Sequence, residues 1–427
     1  MPPVRVVAAG NIRSVVGRTS SNHVKFRVYE RMKKVKNMVQ GFKGSAVAAG
    51  LKKDVALDLG LIFSEKESVA AGVFTTNKVK GAPVILSQEN LRKGRSRAIL
   101  ANAGNANACT GRSGLADAIL TAELVAKGLG VQTEDVLVAS TGVIGKPLDV
   151  ELISAAVPAL VKALSPEGLP RVAEAIMTTD SFPKIARFEG QAGGLPYHIL
   201  GIAKGAGMIM PNMATMLCFI LSDVRIGCDE LKEALVSSVE PTFNRISVDG
   251  DTSTNDMVLA MANGLAGNRV LTGVAYDRFK EGLQSVMGEL SHMIVRDGEG
   301  ATKVVHIEIR GAVTPSDAIS AARTVANSSL VKTAFYGRDP NWGRIMAALG
   351  RAGIMMDEEK VDIWVDDVLI VAAGVGRGPE AEKKAAEKMS HSEFILTIDL
   401  QQGGYQDRVI TCDLTHKYVT INADYRT

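Results

Sequence analysis

The chain lacks the marks of most familiar enzyme classes. Its four cysteines, Cys109, Cys218, Cys228 and Cys412, are scattered with no CxxC spacing and no zinc-like pairing with the six histidines, so they read as reduced, partly buried thiols. No apolar run is long enough to span a bilayer, and the N-terminus lacks the uninterrupted apolar segment of a secretory signal, which leads us to expect an intracellular, cytoplasmic protein. There is no GxSxG elbow, no HExxH and no catalytic-cysteine signature. Internal repeats, low-complexity tracts and Pro- or Ser-rich linkers are also missing. Net charge is small, at +3 from 49 basic and 46 acidic residues. Its positive excess sits at the front, where residues 1–39 carry nine Lys or Arg against the single acid Glu30. The remainder is slightly acidic, which removes the footing for nucleic-acid binding. The basic front has two readings: an organellar transit peptide, from its Arg- and Ser-rich, acid-poor composition, or a disordered or non-native extension upstream of an internal start at Met32 or Met38. The second is preferred.

What is present is ample core material. With 46% hydrophobic and 22% charged residues over 427 positions, the chain exceeds what one hydrophobic core usually serves, so two lobes are expected. Glycine is in excess, at 42 residues, and clusters in short polar runs that suggest tight turns and close backbone approaches around a site. Periodicity predicts strands at 56–63, 97–102, 135–140, 215–222, 304–309, 361–370, 394–400, 408–413 and 418–422. It predicts helices at 115–127, with Gly128 as the stop, and at 148–164, 229–239, 276–287, 316–326 and 379–389. Successive strands near the C-terminus favour α+β layers with partly antiparallel sheet over a doubly wound parallel sheet.

The most informative stretch is GIAKGAGMIMPNMATMLCFILSD, residues 201–223. It begins glycine-rich, passes through Pro211-Asn212 and ends in the apolar run 216–221, which reads as a buried strand. Thr215 thus stands where a turn-prone loop enters the interior. That is where a self-processing nucleophile would sit, its hydroxyl held against the Ala214 carbonyl. Cleavage there frees the α-amino group of Thr215, whose ordinary pKa of ~7.7 to 8.0 suits it as general base for the hydroxyl on the same residue. Taken alone, a threonine opening a β-strand is more often only that.

The whole segment reverses those odds. KGAGMIMPNMATML closely resembles the self-cleavage segment of the ornithine acetyltransferase (glutamate N-acetyltransferase) family, with the scissile bond between Ala214 and Thr215. In order along the chain, AAGVFTTNKVKGAPV (70–84), ANAGNANACTG (101–111), STGVIGKPL (140–148), MTTDSFPK (177–184), NRISVDGDTSTNDMVLAMANG (244–264), DGEGATK (297–303), FYGRDPNWGRI (335–345) and NADYRT (422–427) agree with it. The resemblance covers residues 41 to 427.

It implies an α/β/β/α-like sandwich of N-terminal-nucleophile type with a smaller C-terminal α/β lobe. It also implies an alpha chain of residues 40–214 and a beta chain of 215–427, interleaved in one body and assembled as two alpha and two beta chains. The implied reaction is ping-pong acetyl transfer from N2-acetyl-L-ornithine to L-glutamate through acetyl-Thr215, with no cofactor; some members also take acetyl from acetyl-CoA, a choice the sequence leaves open. Thr141 and Gly142 match the family's oxyanion pair, which a loop at a strand end could form, although a plain turn explains the same residues locally. Lys204, in the glycine turn eleven residues before Thr215, is the natural partner of a substrate carboxylate, Glu299 could meet the ornithine ammonium, and Thr178 is the further hydroxyl contact, with Thr179 the open alternative. Asn422 and Thr427 match C-terminal contacts. For Lys204 and Glu299 the bland reading is a solvated charge, and for Asn422 and Thr427 a frayed tail.

Three motifs remain. SVDGDTSTND (247–256) has several acids but not the spacing of a calcium loop, so it reads as a hydrogen-bonded loop beside the site with no metal. GRDPNWGR places Trp342 in either a structural turn or a substrate-side loop. AAGVGRGPE (372–380) lacks GxGxxG spacing and a P-loop lysine, which leaves a nucleotide-binding reading weak. The stronger rival is an N-terminal-threonine amidohydrolase or aminopeptidase, in which water is the acceptor.

Overall fold

In the computed structural model, which describes residues 39–53, 56–210 and 216–424, the elements run β1 (Phe42–Val47), β2 (Leu59–Phe74), α1 (Ala82–Asn90), β3 (Arg95–Asn105), α2 (Gly111–Leu129), β4 (Val136–Val143), α3 (Val150–Lys162), α4 (Leu169–Ala175), β5 (Lys184–Ala192), β6 (Leu195–Lys204), β7 (Leu217–Ser222), α5 (Cys228–Val239), β8 (Ile246–Ser247), β9 (Met257–Ala262) and α6 (Gly273–Arg296). They continue as β10 (Val304–Ala312), α7 (Pro315–Ala326), α8 (Ser329–Gly337), α9 (Trp342–Gly350), β11 (Asp362–Val365), β12 (Val368–Ala372), β13 (Val375–Gly376), α10 (Pro379–Lys388), β14 (Glu393–Asp399), β15 (Tyr405–Cys412) and α11 (His416–Ala423).

The first sheet has the order β4-β3-β2-β9-β7-β6-β5, with β1 also on β2. Long β2 joins its two halves: Leu59–Phe63 pairs with β3, the register breaks before Ser68, and Val69–Phe74 pairs with β9. By register, the end of β4 and the start of β9 belong at opposite ends of β2, yet Asn255 Nδ2 donates to the Ser140 carbonyl at 3.0 Å. The break in β2 therefore turns the sheet back on itself, as bulges do. α1, α2 and α3 cover the outer face of the β2-β3-β4 half through Leu86, Ala122, Val125, Ile153 and Val157. α5 and α6 cover the β9-β7-β6-β5 half through Leu235, Leu283, Val286 and Leu290. The alternate side chains Ile62, Ile99, Ile202, Phe219 and Leu259 are buried on the other face, where α4 touches strands of both halves. The result is an α+β fold layered as helix, sheet, sheet, helix.

α6 is helical because Phe279, Leu283, Val286, Leu290 and Ile294 recur at helical spacing along one buried stripe. Each of these buried side chains contributes about 1.5 to 3 kcal/mol. The second sheet, β13-β12-β11-β14-β10-β15-β8, forms the smaller C-terminal α/β lobe, with α7 to α10 packed on one face over Val305, Ile307, Leu396 and Ile398. α6 also touches β15 and β8, joining the two sheets. The first sheet mixes strands from before and after position 215, and the described residues form one compact unit.

Three sequence expectations fail. Residues 418–422 lie in helix α11, not a strand; their β-branched run favours extended structure, but the tertiary contacts of Tyr418 and Asn422 decide otherwise. Residues 361–370 form the hairpin β11-β12, turning at Asp366-Asp367, where Asp366 has a φ of 51°. Gly128 lies inside α2, where a side chain would meet Val161, and Gly130, at φ 69°, ends the helix. The basic extension up to residue 38, the Ala214–Thr215 bond and Thr427 lie outside the described residues. Among the described residues, no helix is long and apolar enough to cross a membrane.

Candidate active site

β6 and β7 are antiparallel, with Lys204 opposite Leu217. The connection 205–216 therefore leaves and re-enters the sheet at one place, and the sequence that opens it is glycine-rich. Its early part is clamped by the SVDGDTSTND loop. Met208 and Ile209 donate backbone N–H groups to Asp249 at 2.6 and 2.8 Å, Met210 donates to the Asp251 carbonyl at 3.0 Å, and Thr252 Oγ1 donates to the Met210 carbonyl at 3.0 Å. This is the hydrogen-bonded loop expected from sequence.

Beside this connection lies a cleft of about 240 Å³. Thr141, Gly142, Thr178, Thr179, Lys204, Glu299 and Asn422 all line it, as do Ser253 to Asp256 and Met216, the residue that follows Thr215. Thr215 and Ala214 themselves, like Thr427, lie outside the described residues. Lys204 is the last residue of β6, not part of the glycine turn, and only 7% exposed. Its Nζ donates to Thr178 Oγ1 at 2.8 Å and reaches Thr141 Oγ1 at 3.4 Å. Between Thr178 and Thr179, Thr178 is thus the one tied to the cation.

Sequence reasoning passed over what lies behind Lys204. The Asp180 carboxylate, fully buried, accepts from the N–H of Thr178 at 3.0 Å and of Gly205 at 2.6 Å. Its carboxylate stands 3.8 Å from Lys204 Nζ and 2.7 Å from Lys184 Nζ. Lys184 also contacts Asp297 at 2.7 Å, and Asp297 accepts from Ser181. Burial by itself would raise the Asp180 carboxyl, but the charges of Lys184 and Lys204 hold it well below the usual carboxylate range. Burial likewise opposes the Lys184 ammonium, and the two aspartates overcome it and raise its pKa. MTTDSFPK spaces Asp180 and Lys184 four residues apart, but the segment is not helical, so that spacing does not announce their pairing, nor the part of Asp297.

Glu299 is 8% exposed and accepts from Asn422 Nδ2 at 2.6 Å. Tyr418, one turn earlier in α11, donates to Asp249 at 3.3 Å, so helical spacing puts both tips on one side of α11, Asn422 in the cleft and Tyr418 on the loop that clamps residues 208–210. A side chain at Gly207 would come within 2.3 Å of the Glu299 carboxylate. Gly142 is not in a turn; it has a φ of 132° within β4, where a side chain would lie 2.4 Å from the Gly104 backbone. Burial pushes the Asp249 carboxyl up against its backbone hydrogen bonds. The cleft thus offers a cation flanked by hydroxyls, a recessed carboxylate and several amide donors, a set suited to a small molecule with a carboxylate and an ammonium. Trp342 is away from it, packed on the C-terminal lobe with Nε1 3.3 Å from Glu382, so GRDPNWGR is a structural turn. Among the described residues, the one convergence of metal-ligating side chains, His292, His306 and Glu393, shares no residue with this cleft.

The model of the ArgJ family matches residues 43–427. The arginine biosynthesis bifunctional protein ArgJ of Desulfotalea psychrophila is 50% identical over 390 residues, covering 91% of this chain and 99% of its own. That of Thermotoga neapolitana is 46% identical over 395 residues, with coverage of 91% and 99%. Among solved structures, the ArgJ of Bacillus halodurans is 40% identical, covers 49% of this chain and 99% of its own, and gives a TM-score of 0.47. The ornithine acetyltransferase of Mycobacterium tuberculosis, solved with ornithine, is 40% identical, with coverage of 43% and 97% and a TM-score of 0.38.

Proposed function

Because the chain belongs to the ArgJ family and is an acyltransferase of arginine biosynthesis, we propose that it cuts itself between Ala214 and Thr215 and then carries acetyl from N2-acetyl-L-ornithine to L-glutamate on Thr215. In processing, Thr215 Oγ attacks the Ala214 carbonyl and the peptide C–N bond breaks. Water hydrolyses the resulting ester, leaving an alpha chain that ends at Ala214 and a beta chain that begins with Thr215 and its free amine. In turnover that amine takes the hydroxyl proton while Oγ attacks the acetyl carbonyl. The Thr141 hydroxyl and the Gly142 N–H receive the oxyanion. The amide C–N bond then breaks, ornithine leaves with the proton, and the glutamate amine attacks the Thr215 ester to give N-acetylglutamate.

Lys204, with Thr178, takes the α-carboxylate of each substrate, and Glu299, fixed by Asn422, takes the ornithine ammonium. Thr427 is the further C-terminal contact that the resemblance implies. The observation that carries this reading is that Met216, next in the chain to Thr215, lines the same cleft as all six of these other residues for which the structure gives a position. The cycle uses no cofactor. The relatives' names include the word bifunctional, and acetyl-CoA is the second donor that the resemblance implies. Two alpha and two beta chains are the implied assembly.

Mass spectrometry of the purified protein tests the proposal. The expected result is two fragments, the second beginning at Thr215, which gains one acetyl group on incubation with N-acetylornithine alone and loses it to added glutamate. A fully active chain unbroken at 214–215 refutes the nucleophile. Acetyl lost to water at a rate glutamate does not change favours the amidohydrolase instead.

A further inference from the structure

Away from the cleft, three ligating side chains converge that acetyl transfer does not use. His292 Nε2 stands 2.9 Å and His306 Nε2 2.7 Å from the same oxygen, Oε1 of Glu393, and the three atoms lie within 4.8 Å of one another. The two imidazoles stack, with centroids 6.1 Å apart and planes at 25°. Each residue comes from a different element: His292 from the last turns of α6, His306 from β10 and Glu393 from the start of β14. β10 and β14 are parallel neighbours with Val304 opposite Glu393 and His306 opposite Ile395, so His306 and Glu393 are diagonal neighbours on one sheet face.

That face is the one turned away from the lobe's own core. Val305 and Ile307 point inward to the helices α7 to α10, whereas Val304 joins the core built around α6. The cluster thus sits at the rim where α6 crosses the second sheet. It is open to solvent, with side chains 31%, 21% and 45% exposed for His292, His306 and Glu393.

From this juxtaposition we propose that His292, His306 and Glu393 form a site for one divalent transition-metal ion of the zinc class, completed by water, that ties α6 to the C-terminal sheet. Two imidazole nitrogens and one carboxylate oxygen are the donors such an ion takes, usually as three protein ligands and an open fourth position. With metal–ligand bonds of about 2.0 to 2.2 Å at tetrahedral angles, adjacent ligand atoms stand about 3.3 Å apart. The observed separations of 2.7 and 2.9 Å therefore open by roughly half an ångström, within reach of half-exposed side chains. The charge fits as well. With both imidazoles neutral, Glu393 leaves the cluster negative, and Glu289, one helical turn before His292, adds a second carboxylate.

The test uses the full-length processed protein, stripped by a chelator and titrated with Zn2+ in a competition assay against a chromophoric chelator, with thermal unfolding as a second readout. The expected result is one tight equivalent of Zn2+ per copy of the sequence and a rise in Tm on loading. His306→Asn and Glu393→Gln, at partly exposed positions, should each weaken that equivalent at least tenfold and abolish the Tm rise, while acetyl transfer by the metal-free enzyme is unchanged. A wild-type protein that takes up no Zn2+ overturns the proposal. So does an equivalent bound equally well by both variants, which points to other ligands such as the exposed Cys109 or Cys228.

Discussion

Lys184→Met tests the charge network that holds the cleft floor. The ammonium is fully buried and contacts Asp180 and Asp297 at 2.7 Å each. Methionine has nearly the same length and leaves two buried carboxylates facing one another, with Lys204 3.8 Å from one of them as a poor substitute. Removing one partner of a buried ion pair costs about 3 to 5 kcal/mol, because the remaining charge stays desolvated. With an unfolding entropy of about 2.1 cal/mol/K per residue, a loss of about 4 kcal/mol lowers the Tm of a chain this long by about 5 °C. The sign of the pH dependence follows from the directions of the shifts. In the wild type the Asp180 carboxyl is held below its unfolded value, so its contribution is complete above that value and fades only in strong acid. Lys184 is raised, so its contribution is complete below its unfolded value and fades only in strong alkali. Between about pH 5 and 9 the intact network adds a constant term. In Lys184→Met one carboxylate gains a reason to bind a proton, and the penalty shrinks as pH falls. Calorimetric unfolding of wild type and variant at pH 8.5 and pH 5.5 measures both effects. A Tm loss under about 1 °C at pH 8.5, or one that grows toward pH 5.5, refutes the reasoning.

Other expectations concern the chemistry. Lys204→Met should lower kcat/KM for N-acetylornithine and for glutamate by about 10- to 100-fold, from a charged hydrogen bond of about 1.5 to 3 kcal/mol; steady-state kinetics with a normal KM would remove Lys204 from carboxylate binding. Thr215→Ala should stay a single chain on a denaturing gel and show no turnover, whereas Thr215→Ser should be processed in part, because the hydroxyl remains. Gly207→Ala should raise the KM for N-acetylornithine about tenfold or more by pushing the Glu299 carboxylate from its place, and an unchanged KM would mean that Glu299 does not meet the donor. Asn422→Ala should act in the same direction but more weakly, since Glu299 loses a hydrogen-bond donor and not its space.

The elements legible in the sequence were those whose pattern is local. α7 and α10 keep helical spacing between recognisable stops, and β3, β10 and β14 are apolar runs of strand length. The hairpin of β5 and β6 was missed although Gly193 and Gly194, with φ of 60° and 82°, form the two-residue turn that such hairpins favour. β9, buried along its whole length like β7, offers no alternation, and a short apolar run alone does not separate a strand from a buried helix.

By itself the sequence determined where a self-activating threonine could stand. The sequence shows a turn-prone glycine run followed by the apolar run 216–221, and the hydroxyl, amine and carbonyl that such chemistry needs are neighbours along the chain. The motifs that carry the family resemblance also singled out Thr141, Lys204, Glu299 and Asn422, four residues that line one cleft. Only the tertiary structure decided that these residues meet. The break in β2 folds one sheet into two layers and brings the end of β4 to the start of β9, and α11 forms as a helix so that Asn422 can reach Glu299. Nor could the sequence say that Lys204 rests on Asp180, Lys184 and Asp297. Burial turns those three charges into a rigid support, and burial is a property of the packed chain, not of any stretch of it.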